Sequence, residues 1–173
     1  MHSVLADWES FYVIVGSSAG ALTGLMFVVI TLIADARIKR TLKEINAFGS
    51  PAVVHLTAVL LISAVLSAPW RDLRLASYGV GLGALAGLGY MVIVLRRILQ
   101  PTPYKKVMED WVWHGVLPFV AYIVLLIAHM ALRHENPWGL YAVGAAALLL
   151  LSIGIHNAWD TVVYMVVSHE RAS

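Results

Sequence analysis

Cysteine is absent from this chain of 173 residues, and charged residues make up only 13% of it. Without cysteine, the chain has no disulfide bond, no thiolate metal site and no cysteine nucleophile. A soluble domain carries about 25% charged residues, so this chain has too little charge to cover a folded surface with polar side chains. The scarcity of charge argues against an ordinary soluble domain and predicts that lipid covers much of the surface.

Several functional signatures are also missing. The first ten residues, MHSVLADWES, contain no Lys or Arg, so a signal peptide is not indicated and the first apolar segment is expected to remain as a span. The formal net charge of +2 is too small to indicate nucleic-acid binding. No G-x-S-x-G nucleophile motif is found, and the glycines do not follow strands as they do in a phosphate loop. An enzyme is therefore not indicated, although the sequence does not exclude one.

Long apolar runs are what the chain does contain. It is 60% hydrophobic, with a mean hydropathy of +0.80, and a helix needs roughly 20 apolar residues to cross the hydrocarbon core. Uninterrupted runs of this length are typical of membrane helices rather than of barrel strands. We predict an all-α, polytopic transmembrane helix bundle that forms one domain over residues 1–173. The five expected spans are 11–34, 52–69, 77–95, 111–132 (with a kink at Pro118) and 138–167.

The distribution of Lys and Arg predicts the orientation of these spans. Nine basic residues lie in segments 35–50 and 96–110 and the C-terminal tail, and three lie on the opposite side. Because basic loops stay in the cytoplasm, we expect both segments and the C-terminus inside and the N-terminus outside. The second span is the shortest. The basic loops all fall on one side of the membrane only if this span also crosses it.

Glycine recurs at four-residue spacing in two spans, and such runs let another helix backbone approach closely. One interpretation is that the first helix packs on the third within the chain; the other is that a glycine face joins several copies of the chain. The positions are Gly16, Gly20 and Gly24 in the first helix and Gly79, Gly83 and Gly87 in the third.

The predicted orientation places several polar side chains at similar depth near the cytoplasmic boundary. Ionisable residues in spans usually face the bundle interior and often mark a pathway, although each one can also have a purely structural role. His156 and Asp160 are one helical turn apart, so the carboxylate can orient the imidazole. The candidate residues are Asp35, His55, His114, His156, Asn157 and Asp160.

A metal site is a further interpretation of the same residues, since imidazole and carboxylate suit zinc, iron or manganese. No HxxxH or HExxH spacing makes it specific. Haem b between His156 and either His55 or His114 would need the two ligands on facing helices. We therefore predict no cofactor and keep the metal ion and haem b as alternatives.

Three stretches resemble a group of small bacterial integral membrane proteins known mainly as hypothetical proteins. They are FYVIVGSSAGALTGLMFVVITLIAD, SAPW near residue 67 and IHNAWDTVVYMVV near the C-terminus. The resemblance covers most of the chain and implies a location in the bacterial inner membrane, but no activity, ligand or site residue.

The leading hypothesis is a homo-oligomeric membrane protein that forms a channel or transport pathway for an ion or a small solute. Its partners would be the lipid bilayer and further copies of itself, and the His/Asp layer would supply selectivity or gating. A redox protein that uses the histidines for metal or haem, and a non-catalytic subunit of a larger membrane complex, are the alternatives.

Overall fold

The computed structural model describes residues 4–35, 42–99 and 111–170, except for the side chains of residues 32–35, 42–50, 97, 98 and 164–170. Within these ranges the chain is helical and no strand occurs, in agreement with the predicted all-α class. The helices are α1 (Glu9–Asp35), α2 (Leu42–Ser67), α3 (Leu73–Ile98), α4 (Leu117–Arg133) and α5 (Trp138–Glu170). A 3-10 helix (Val4–Trp8) precedes α1, and a π-helical segment (Val112–Val116) leads into α4.

The helix bounds follow local sequence signals at the two short turns. Asp72 accepts a hydrogen bond from the backbone N–H of Leu75 at 2.8 Å and thereby caps the start of α3. Glu135, which has a φ of 55°, reverses the chain after α4. Asn136 then accepts a hydrogen bond from the N–H of Trp138 at 3.3 Å at the start of α5.

The second helix differs most from its predicted bounds. It begins at Leu42 rather than near Ala52, and Pro51 lies inside it rather than at its end. Proline removes one backbone hydrogen bond, but tertiary contacts can hold a helix through it. Segment 35–50, expected as a loop, is therefore helical from Leu42 onward, whereas most of the 96–110 loop lies outside the described residues.

Helix α2 occupies the middle of the bundle. It packs extensively on α1 and on α5, α4 packs on both α3 and α5, and the contact between α2 and α3 is smaller. The expected packing of the first helix on the third is wrong, because α1 and α3 share no extensive interface in the described residues. Both helices instead place glycine against α2.

Aromatic side chains gather at one end of the bundle, which we call the Trp8 end. The rings of Trp8 and Tyr141 are 4.7 Å apart and nearly perpendicular. The Tyr12 hydroxyl donates a hydrogen bond to the Leu140 carbonyl at 2.9 Å, so this end also ties α1 to α5. The turns 68–72 and 134–137 lie at the same end. We call the opposite end the Asp160 end.

Four helices in the described part of the chain are long and apolar enough to cross a membrane: Val4–Thr31, Leu73–Arg96, Val112–Arg133 and Trp138–Val163. A shorter apolar helix, Pro51–Ser67, lies within α2. Large apolar side chains such as Ile14, Leu61 and Leu82 are exposed on the outside of the bundle. The chain is thus an apolar helical bundle of the kind found in multi-pass membrane proteins.

Candidate functional site

A hydrogen-bonded pair of polar side chains lies inside the bundle. The Nδ1 atom of His55 in α2 is 3.0 Å from the hydroxyl of Tyr122 in α4. Both side chains are buried, with His55 only 1% exposed. The Tyr122 ring lies directly against Gly87 of α3, where a Cβ atom would overlap it. Three helices therefore fix the position of this pair.

Two more polar residues lie around His55. The edge of the His55 ring faces Tyr90 of α3, with the ring centroids 6.0 Å apart. His114, in the π-helical segment, is close enough to His55 for their charges to interact. Tyr90 and Tyr122 were not among the predicted site residues.

His156 and Asp160 on α5 form a second pair that reaches the surface. The Nε2 atom of His156 is 3.1 Å from Oδ2 of Asp160, although the two groups are not in hydrogen-bond alignment. The other contact of the imidazole is with Trp113, whose ring stacks on it at 3.9 Å with an interplanar angle of 16°. The His156 side chain is 23% exposed and that of Asp160 is 49% exposed. The pair therefore extends from the interior to the boundary of the bundle.

Asn157 points into the bundle beside this pair. Its side chain is 1% exposed, and neither amide atom has a hydrogen-bond partner among the described residues. Its backbone carbonyl accepts a hydrogen bond from the Thr161 hydroxyl at 2.7 Å. An unpaired buried amide costs about 1–3 kcal/mol, so Asn157 is a candidate for binding a solute or water.

We refer to these residues together as the polar cluster: His55, His114, Tyr122, His156, Asn157 and Asp160. Trp113 connects its two parts, because it precedes His114 in the chain and stacks on His156. The predicted member Asp35 ends α1, but its side chain lies outside the described residues.

The polar cluster does not form a conventional metal site in the described part of the chain. No group of three or more His, Asp or Glu side chains there is arranged to hold a metal ion. Nδ1 of His55 faces a tyrosine hydroxyl instead.

The predicted glycines pack against different neighbouring residues, and one of them has no neighbour among the described residues. A Cβ atom on Gly16 would lie 2.8 Å from the Ser63 side chain of α2, and one on Gly79 would lie 2.6 Å from Val65 of α2. Gly20 and Gly83 also face α2, at ordinary contact distances. Gly24 has no atom within 4 Å of its Cβ position and is exposed.

A second polar contact lies near the Trp8 end. The Nδ1 atom of His129 in α4 is 2.8 Å from the Ser77 carbonyl of α3. His129 shares a helix face with Tyr122, seven residues away. This alignment has a sequence signal, since His114, Tyr122 and His129 lie on one stripe of the predicted fourth span.

An apolar cavity of about 830 Å³ lies between α2 and α3. Its walls include Leu61 and Val65 of α2 and Leu82 and Gly83 of α3, and Tyr122 contributes at one side. Its lining is almost entirely apolar. It therefore does not offer a polar route through the bundle.

Comparison of the chain with protein-family models, with curated proteins and with solved structures found no match.

Proposed function

We propose that this protein forms a membrane pathway for an ion or a small solute and that the polar cluster governs its passage. The observation that carries the proposal is the buried pair of His55 and Tyr122, with His114 close by. Burying a polar side chain costs stability unless all of its hydrogen bonds are made. Ionisable residues retained inside a membrane bundle most often serve a pathway or a proton relay, which supports this function.

The pair of His156 and Asp160 is the proposed entrance. Both of its side chains are partly exposed, and Trp113, which stacks on His156, directly precedes His114 in the chain. A charged carboxylate at the boundary would raise the local concentration of cations. Asn157, buried beside it, offers an amide that can replace part of a solute's hydration.

The proposed setting is the bacterial inner membrane, with five spans and the Asp160 end in the cytoplasm. The nine basic residues in segments 35–50 and 96–110 and the C-terminal tail support this orientation. The resemblance of three stretches to small bacterial membrane proteins supports the location. The finding that α2 contains an apolar helix, Pro51–Ser67, packed by helices on several sides is compatible with a fifth span.

We further propose that several copies of the chain assemble. Only 22% of the most apolar window of the first span is buried inside the bundle, so this helix has much surface left for other partners. Ser17, Ala21 and Gly24 form a small, exposed face on α1. A face of small residues permits close approach of another helix.

Ion flux into proteoliposomes tests the proposed function. At about pH 6 and about pH 8 we expect wild-type flux above that of empty liposomes and different at the two values, because imidazole changes its charge between them. His156→Ala and Asp160→Asn should each lower this flux. Both side chains are partly exposed, so these variants carry little risk of unfolding.

The matched control is His134→Ala, which removes an imidazole from an exposed position in the turn after α4. Its flux should equal that of the wild type. Wild-type flux no greater than that of empty liposomes, for monovalent cations, anions and protons alike, would remove the proposed function.

A further inference from the structure

Polar side chains occur at two levels along α4. At the level near the Trp8 end, the position of the hydrogen on the His129 ring can be assigned. The carbonyl of Ser77 can only accept a hydrogen bond, so the Nδ1 atom of His129, 2.8 Å away, carries the hydrogen. The Nε2 atom of the neutral ring then keeps its lone pair. A Cβ atom on Gly81 would lie 2.9 Å from the His129 ring, so α3 holds the imidazole closely. His129 is thus a fixed proton acceptor that is only partly buried.

The level nearer the Asp160 end has matching chemistry. One member of the pair formed by His55 and Tyr122 donates the hydrogen bond and the other accepts it. Imidazole and phenol can both give up and take a proton. His114, His156 and Asp160 continue this set of exchangeable groups toward the boundary.

An apolar layer separates the two levels. Tyr122 and His129 are seven residues apart on α4, which is about 10 Å along the helix axis. Leu125 of α4 and Ala84 of α3 lie between them, and both are fully buried. The distance is too long for a direct hydrogen bond, so passage requires water to enter this layer.

We infer that the ion moved by the proposed pathway is the proton, with His129 as the exchanging group at the Trp8 end and the layer of Ala84 and Leu125 as the gate. This inference rests on the proposed function and names its transported species. A hydrated metal ion or an anion would have to lose its water in the packed apolar layer between the two levels. A proton moves between nitrogen and oxygen atoms and needs no opening wide enough for a hydrated ion.

The exchange at His129 is balanced. When Nε2 takes a proton from a hydronium ion, a new N–H bond forms as an O–H bond breaks, a neutral water molecule is left, and the ring carries one positive charge. Release of the same proton from Nε2 to water in the apolar layer restores the neutral ring. The Nδ1–H bond to the Ser77 carbonyl stays in place throughout.

Proton flux at an imposed membrane potential tests the inference. Proteoliposomes holding a pH-sensitive dye, with valinomycin and a potassium gradient, should change internal pH faster with wild type than without protein. Since a positioned proton-transfer group typically accelerates exchange by 10²–10⁴, His129→Ala should slow this change by at least about tenfold. His134→Ala should not change it. Leu125→Asn, which makes the apolar layer easier to hydrate, should speed it, and Ala84→Ser provides a smaller change that the fold tolerates more readily.

Sodium and chloride fluxes measured in parallel separate the two proposals. Flux of either ion without proton flux overturns the inference and leaves the proposed function standing. Proton flux that His129→Ala leaves unchanged, in a variant that elutes from gel filtration like the wild type, also overturns it. Absence of all three fluxes removes both.

Discussion

The ring of Tyr122 occupies space that α3 leaves open only because residue 87 is glycine. In Gly87→Ala the new methyl group would overlap this ring, and overpacking of a buried site costs about 1–3 kcal/mol. We expect a lower unfolding temperature in detergent, because Tyr122 must move away from His55 or α3 away from α4.

Gly89→Ala is the matched control for this prediction. It lies in the same helix, is exposed, and has no atom within 4 Å of its Cβ position. Alanine gains up to about 1 kcal/mol of helix propensity over glycine, so its unfolding temperature should stay the same or rise. Equal effects of the two substitutions would contradict the packing described for Tyr122.

The contacts of single side chains could be predicted from the sequence only in part. The common depth of His55 and His114 is predicted from the basic loops and the helical rise, and it stays a prediction. Their partners Tyr122 and Tyr90 were not predicted. Which neighbour a side chain meets depends on the rotation of each helix about its axis, and the uniformly apolar spans leave that rotation undetermined.

At the level of the helix, α1 changes its neighbours along its length. Gly16 faces α2, whereas Gly24, eight residues later, is open on the outside. Glycines spaced by four drift around a helix with 3.6 residues per turn, so the run leaves the interface. The exposed face instead contains Ser17, Ala21 and Gly24.

Disulfide cross-linking tests whether this face joins two copies. The chain lacks cysteine, so Ala21→Cys introduces the only thiol. With a copper–phenanthroline oxidant in membranes, we expect a covalent dimer, because small residues let two α1 helices approach within disulfide distance. Ala145→Cys on the exposed surface of α5 is the matched control and should remain monomeric. Efficient cross-linking at residue 145 but not at residue 21 would place the interface elsewhere.

Pro118 lies just after the π-helical segment that leads into α4. Pro118 lacks an N–H group, so the carbonyl four residues earlier, at His114, loses its usual donor. A π-helical segment directly precedes α4, and in it the Leu117 N–H bonds to the Val112 carbonyl. Proline indicates an irregularity at this point, but it specifies neither a π-helical segment nor the stacking of Trp113 on His156.

In the whole molecule, the shortest of the apolar helices lies in the middle of the bundle. Pro51–Ser67 is shorter than the other apolar helices, and it contains the buried polar residues His55 and Ser63. Because α2 packs on α1, α3 and α5, these polar groups face protein rather than lipid. Polar residues in a central helix therefore do not argue against a span, since they face protein rather than lipid.

Thiol labelling from outside the cell tests the membrane path of the whole chain. The 3-10 helix and the turn after α4 lie at one end of the bundle, where Trp8 contacts Tyr141. Asp7→Cys and His134→Cys should therefore both react with a membrane-impermeant maleimide in intact spheroplasts. Lys105→Cys, in a basic loop, should react only after permeabilisation.

The cysteine-free wild type is the control and should not be labelled at all. If α2 entered and left the membrane on the same side, α3 and α4 would be inverted relative to α1. Residues 7 and 134 would then lie on opposite sides, and only one of them would react in intact spheroplasts. Labelling at all three positions from outside would instead mean that the basic loops do not determine the orientation. Labelling of residues 7 and 134 alone requires an odd number of crossings among α1, α2 and α3, so if the long apolar helices α1 and α3 both cross, the short apolar part of α2 must cross as well.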